Sequence, residues 1–189
     1  MSKRDDIIAS ALAIISEQGI SALTLPALFA HAHTGAGTFY HYFENRAALV
    51  EGVFAYCHQV VEEGLQDVQD QGGFSVEEWF SQVVRRLFEI HRERPQEMEF
   101  LYAIYFAHVM PKRETHRTIP CAVLLNKVII AAQQQGLANA AVDSRVYARA
   151  VRSVLATIFL GSEWQEYSIS EKSMDRFVAA CWAVLQTYE

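Results

Sequence analysis

The chain has 189 residues, 51% apolar and 12% aromatic, with a formal net charge of −6 and a pI near 5.6. That apolar content excludes a disordered chain, and the acidic balance excludes a global basic field that would draw in nucleic acid. Cys57, Cys121 and Cys181 are widely spaced and read as buried thiols rather than a disulfide framework, while the start MSKRDDIIAS has no leader-type apolar run and no stretch is long and apolar enough to span a bilayer; the expectation is a cytoplasmic protein with no membrane partner.

Helical periodicity runs through the sequence, and strand signals are almost absent. Ile7, Ile8, Ala11, Leu12 and Ile15 repeat at helical spacing behind a candidate N-cap, Ser2, and ahead of a stop at Gly19. Thr24 is placed to cap a short second helix that tolerates Pro26 in its first turn. A further short segment leads to Phe43. Asn45 then caps a long helix expected from Arg46 to about Asp70, closed by Gly72 and Gly73. At about 25 residues it would be a rod of roughly 37 Å.

The SVEE run at 75–78 is a capping box for a helix with Val76, Trp79, Phe80, Val83, Val84, Leu87 and Phe88 on one stripe. Pro95 opens a helix that is apolar nearly all round, and therefore central, and Pro111 ends it. The next carries Cys121, Leu124, Leu125, Val128, Ile129 and Ala132, and Gly136 follows where a C′ glycine belongs. Asp143 caps a helix to about Trp164, and Ser168 or Ser170 starts the last, with Met174, Phe177, Val178, Cys181, Trp182 and Leu185 on one face. The fold class is all-α: about nine helices, a small three-helix N-terminal unit followed by a larger bundle. The expected division is 1–45 and 46–189.

The stretch HAHTGAGTFYHYFENR, residues 31–46, asks for a function. GAG begins like a phosphate loop, but the third glycine position is Tyr40 and no strand precedes it. His31 and His33 are two apart, which on a helix turns them to different faces, and no neighbouring ligand set completes a metal site. A helix-turn-helix fits: a helix from about Leu25 to Ala32, a turn at His33-Thr34, and a second helix from about Gly35 to Tyr42.

Thr24-Leu25 followed by Leu28, then GTFYHYF from Gly37 to Phe43 and NRAAL from Asn45 to Leu49, resembles the DNA-binding domain of the TetR family of bacterial regulators. In the remainder, VDSRVYARAV and FLGSEWQEYS look like the family's last two helices. The resemblance implies a double-stranded operator as partner, a homodimer, and a second domain for ligand binding and dimerisation. It also implies a basic phosphate contact at Arg46, where the long helix begins. Thr24, with the free amides of a helix start, suits phosphate. Gly35 and Gly37 allow a backbone to come close, and Thr34 and Thr38 suit phosphate or a thymine methyl. Tyr40 and His41 present polar tips to phosphates, Ala36 and Thr38 sit where bases are read, and Phe39 and Phe43 lock the helix to its core.

Two departures stand out. His33 replaces the family's common turn glycine, and Gly35-Ala36 replaces its usual Ser-Lys. Across residues 1–50, Lys3, Arg4 and Arg46 face Asp5, Asp6, Glu17 and Glu44, a net −1 for a DNA-binding head. His31, His33, His41 and His58 lie in or beside it, and their protonation would restore positive charge.

Aromatic residues crowd the second domain. Trp79, Phe80, Phe100, Tyr102, Tyr105, Phe106, His108, Tyr147 and Phe159 are the candidate lining of a pocket for a small apolar or aromatic effector. The homodimer is expected from the last two helices, because Val178, Cys181, Trp182 and Leu185 exceed what an intramolecular face needs. No nucleophile–base pair or paired carboxylates point to an enzyme, and no cofactor or metal is expected. The functional expectation is a ligand-responsive repressor; the competing one is an interaction module that has lost strong DNA binding.

Overall fold

The computed structural model describes residues 2–107, 120–159 and 170–186, with the side chains of 105–107 and 156–159 left aside. Among the described residues there are nine α-helices and no strand: α1 (Lys3–Gln18), α2 (Leu25–His31), α3 (Ala36–Tyr42), α4 (Arg46–Gly64), α5 (Val76–Glu93), α6 (Pro95–Ala107), α7 (Pro120–Gln134), α8 (Ser144–Phe159) and α9 (Glu171–Ala183). No helix among them is long and apolar enough to cross a membrane. The chain forms two compact units, one of residues 1–60 and 94–116, the other of 61–93 and 117–189.

In the first unit, Ser2 and Asp5 close a reciprocal capping box on α1. The helix stops at Gly19, whose φ of 82° lies where side chains are unfavourable. Ile7, Ile8, Ala11, Leu12, Ile14 and Ile15 bury one side of α1, which packs on α2 and α6. Met98, Phe100, Leu101, Tyr102 and Ile104 are buried on α6.

In the second unit, α5 packs on α7 and α9, and α7 on α8. The SVEE box forms as expected: the Glu78 carboxylate accepts from the Ser75 amide at 2.8 Å, and the Glu78 amide donates to Ser75 Oγ at 3.2 Å. The end of α7 is a Schellman motif. Gly136 takes φ 72°, its amide donates to Gln133, and the Leu137 amide donates to Ala132. Ser170 caps α9, and Arg85 of α5 pairs with Glu171 and Asp175 of α9.

Two sequence expectations are corrected. Helix α4 ends at Gly64 rather than Asp70, so the rod has 19 residues and is about 28 Å long. Propensity alone would continue through this glutamate- and glutamine-rich stretch, but tertiary contacts override it. The Leu65 amide is shared between the Val61 and Glu62 carbonyls, tightening the chain into a 3-10 turn over Gln66–Val68 that buries Val68. Arg86 Nε donates to the Gly64 carbonyl at 2.7 Å, and Trp79 Nε1 donates to the Val68 carbonyl at 2.8 Å.

Second, the apolar face of α9 is used within the chain. Val178, Cys181, Trp182 and Leu185 are buried, the Trp182 ring lies tilted against Phe80 with centroids 5.1 Å apart, and Phe177 meets Phe88 edge-on at 5.3 Å. These residues are not a free surface for a partner; the exposed side of α9 carries Ala179, Ala180 and Val184 instead. The expected helix ends at Pro111 and Trp164, and the alternative cap Ser168, lie outside the described residues.

Candidate nucleic-acid interface

The unit is built from two seven-residue helices. Thr24 caps α2, its hydroxyl oxygen accepting from the Ala27 amide at 3.3 Å. Leu28 is fully buried and fixes the helix to the core. The turn after α2 is a second Schellman motif: the Thr34 amide donates to the Phe29 carbonyl at 3.1 Å, and His33 holds the left-handed position at φ 45°. The observed turn therefore needs the geometry that glycine supplies in the family, and this chain supports it with a histidine.

Helix α3 follows with Gly35 as its N-cap, which has no side chain to close the helix end. Phe39 is wholly buried, with ring centroids 5.7 Å from Phe29 and 5.8 Å from Phe43. Phe43 is buried in turn, with the Arg4 guanidinium 5.4 Å above its ring. These rings anchor the inner side of α3, so its outer side is decided: Ala36, Gly37, Tyr40 and His41 are exposed, and Thr38 is half-buried. A Cβ added to Gly35 or Gly37 would meet nothing within 4 Å. The fold itself has no need of glycine there. Their backbones lie open to whatever approaches from outside.

Other expected contacts fare differently. Thr34 is half-buried, and its Oγ1 is sealed from solvent with no hydrogen-bond partner, so it does not present a hydroxyl to an approaching phosphate. Arg46 donates from Nε to the Leu23 carbonyl and from a terminal nitrogen to the Ile20 carbonyl, both at 2.6 Å. Its guanidinium thus fastens the start of α4 to the turn that precedes α2. A single basic residue at a helix start gave no sequence signal of that tether. Tyr42, which the sequence reading passed over, is partly exposed, its ring 4.7 Å edge-on from His41.

Of the candidate effector residues, Phe100 and Tyr102 are buried in the first unit, and Trp79, Phe80 and Tyr147 in the second. Trp79 is a brace: besides its bond to Val68, Lys127 stands 5.7 Å over its ring while donating to the Gln69 carbonyl and pairing with Asp70. His108 and the side chains of Tyr105, Phe106 and Phe159 lie outside the described residues.

A buried-ring anchor beneath a short, exposed second helix is the arrangement of a helix-turn-helix, the motif whose second helix can offer its N-terminal end to the major groove. Residues 7–53 match the sequence model described as bacterial regulatory proteins, tetR family. That similarity covers about a quarter of the chain, while its whole length carries the fold of solved tetR-family proteins. It is similar to a tetR-family regulatory protein from Rhodococcus RHA1 (14% identity, 100% of each chain covered, TM-score 0.81). A TetR family transcription regulator from Marinobacter aquaeolei VT8 is also similar (19% identity, 98% of this chain and 96% of that one, TM-score 0.79). A third is the fatty acid degradation regulator FadR from Bacillus halodurans (17% identity, 98% and 95% covered, TM-score 0.72). No curated protein sequence is matched.

Proposed function

We propose that this chain is a ligand-responsive repressor that reads a two-fold operator as a homodimer and releases it when a small apolar or aromatic molecule binds in its body. The observation that carries the DNA-reading part is the open outer side of α3, where Gly35 and Gly37 leave free space that nothing in the chain fills. Residues 1–45 form the reading domain and 46–189 the effector and dimerisation domain. Ala36 and Thr38 meet base edges; Thr24, Tyr40 and His41 meet phosphates. The exposed apolar positions Val146 and Val154 on α8, and Val184 on α9, support pairing of these helices across a two-fold axis.

Release follows from α4, which starts after a three-residue link from the end of α3. A tilt of a 28 Å rod moves its end by several ångströms, and two recognition helices need a fixed spacing to fit successive grooves. A tenfold response requires about 1.4 kcal/mol of difference in effector affinity between the two spacings. Titrating duplex DNA binding against salt tests the reading: the logarithm of the association constant should fall linearly with the logarithm of salt concentration. Ala36→Lys should change affinity or preference; a variant indistinguishable from the parent refutes the groove assignment.

A second reading has its own observation. Lys3, Arg4 and Arg46 all have partners inside the chain, which favours an interaction module with little DNA affinity. Absence of DNA binding even at low salt decides for it.

A further inference from the structure

The permanent cations of the reading head are engaged by the protein itself. Lys3 pairs with Asp6 at 3.8 Å, Arg4 lies over Phe43, and Arg46 is fastened to two backbone carbonyls. What remains outward on α2, the turn and α3 is titratable: His31 at the end of α2, His33 in the turn and His41 on α3 are all exposed. Besides the three cations, the other charged and titratable groups of residues 1–51 are Asp5, Asp6 and Glu17 on α1, Glu44 in the link to α4, Glu51 on α4, and the phenols of Tyr40 and Tyr42. None of the carboxylates lies within ion-pair distance of these three imidazoles among the described residues.

A DNA duplex concentrates phosphate charge, and its field reaches about a Debye length, roughly 8–10 Å, into the protein surface. His41 lies on α3 itself, His33 in the turn that leads into it and His31 at the end of α2, so all three belong to the motif that would meet the phosphates. We infer that DNA binding by this chain is coupled to proton uptake at His31, His33 and His41, which supply the cationic contacts that lysines and arginines do not. This rests on the DNA-reading proposal above. Phosphates favour the charged form of an imidazole brought against them. Binding coupled to proton uptake strengthens as pH falls and weakens as pH rises.

The test measures the dissociation constant of the full chain for a fluorescent mixed-sequence duplex of about 24 base pairs at low salt, from about pH 6 to about pH 8. The parent should weaken by about tenfold or more across that range, since each fully coupled proton contributes up to about tenfold per pH unit. Calorimetry in two buffers of different ionisation enthalpy should show protons taken up on binding. In His31→Gln/His33→Asn/His41→Gln the pH dependence should fall below about threefold, with asparagine chosen because it tolerates the left-handed turn. Should the triple variant unfold, the calorimetric uptake by the parent and the single variants His31→Gln and His33→Asn carry the same comparison. Binding with no pH slope, no proton uptake, or a slope that survives the substitutions overturns the inference and leaves the regulator reading intact. No binding at any pH overturns both.

Discussion

Replacing Gly37 by alanine separates what the fold needs from what a partner needs. Gly37 is the second residue of α3, its φ is not in the left-handed region, and an added Cβ finds open space. In the free protein the methyl group only removes a poor helix former, worth up to about 1 kcal/mol. For a chain of this length that raises Tm by about 2–4 °C. If the glycine is there so that DNA can come against the backbone, the same methyl group holds the duplex away and breaks neighbouring contacts. Loss of tenfold in affinity, about 1.4 kcal/mol, is the expected scale. Thermal melting by circular dichroism and fluorescence anisotropy with duplex DNA read the two effects on one preparation. A variant that melts higher and binds as tightly as the parent refutes the close-approach argument. One that melts lower refutes the assignment of free space around α3.

His33→Gly should stabilise the protein by about 1 kcal/mol, since a non-glycine residue in the left-handed region costs about that much; urea unfolding checks it, and no gain would mean the histidine makes compensating contacts. Arg46→Lys should keep the charge but lose the paired bonds to the Leu23 and Ile20 carbonyls, lowering stability by about 1 kcal/mol while the salt dependence of DNA binding stays the same. Trp79→Phe should cost about 1–3 kcal/mol because the Val68 carbonyl loses its buried donor, again readable by urea unfolding. Burial pushes His91 down to about 4, so the unfolded chain takes up its proton first, and this contribution to stability is lost as pH falls from about 6.5 towards 4. Acid unfolding of His91→Phe should therefore begin at lower pH than that of the parent.

Much of the fold was legible before any coordinates, because helices announce themselves through local chemistry. Ser2, Thr24, Asn45, Ser75 and Ser170 are caps whose hydroxyl or amide groups answer free amides a few residues away, and each makes the expected bond. The apolar stripes of α1, α5 and α7 bury the positions their spacing named, and Gly19 and Gly136 stop helices with the backbone only glycine adopts freely. The motif around α3 was equally local: Phe39 had to be inward for Tyr40 and His41 to be outward. What the sequence could not decide depended on partners far along the chain. Helix α4 ends where Arg86 and Trp79 capture the carbonyls of Gly64 and Val68, about twenty and eleven residues distant, against the helix propensity of the stretch itself. Arg46 looked like a free cation until the Leu23 and Ile20 carbonyls were seen to hold it, and Thr34 like a surface hydroxyl until its Oγ1 was found enclosed. By sequence the broad apolar face of α9 reads as an intermolecular surface because sequence reports how much a helix must bury, whereas only packing against Phe80 and Phe88 reports what it is buried against.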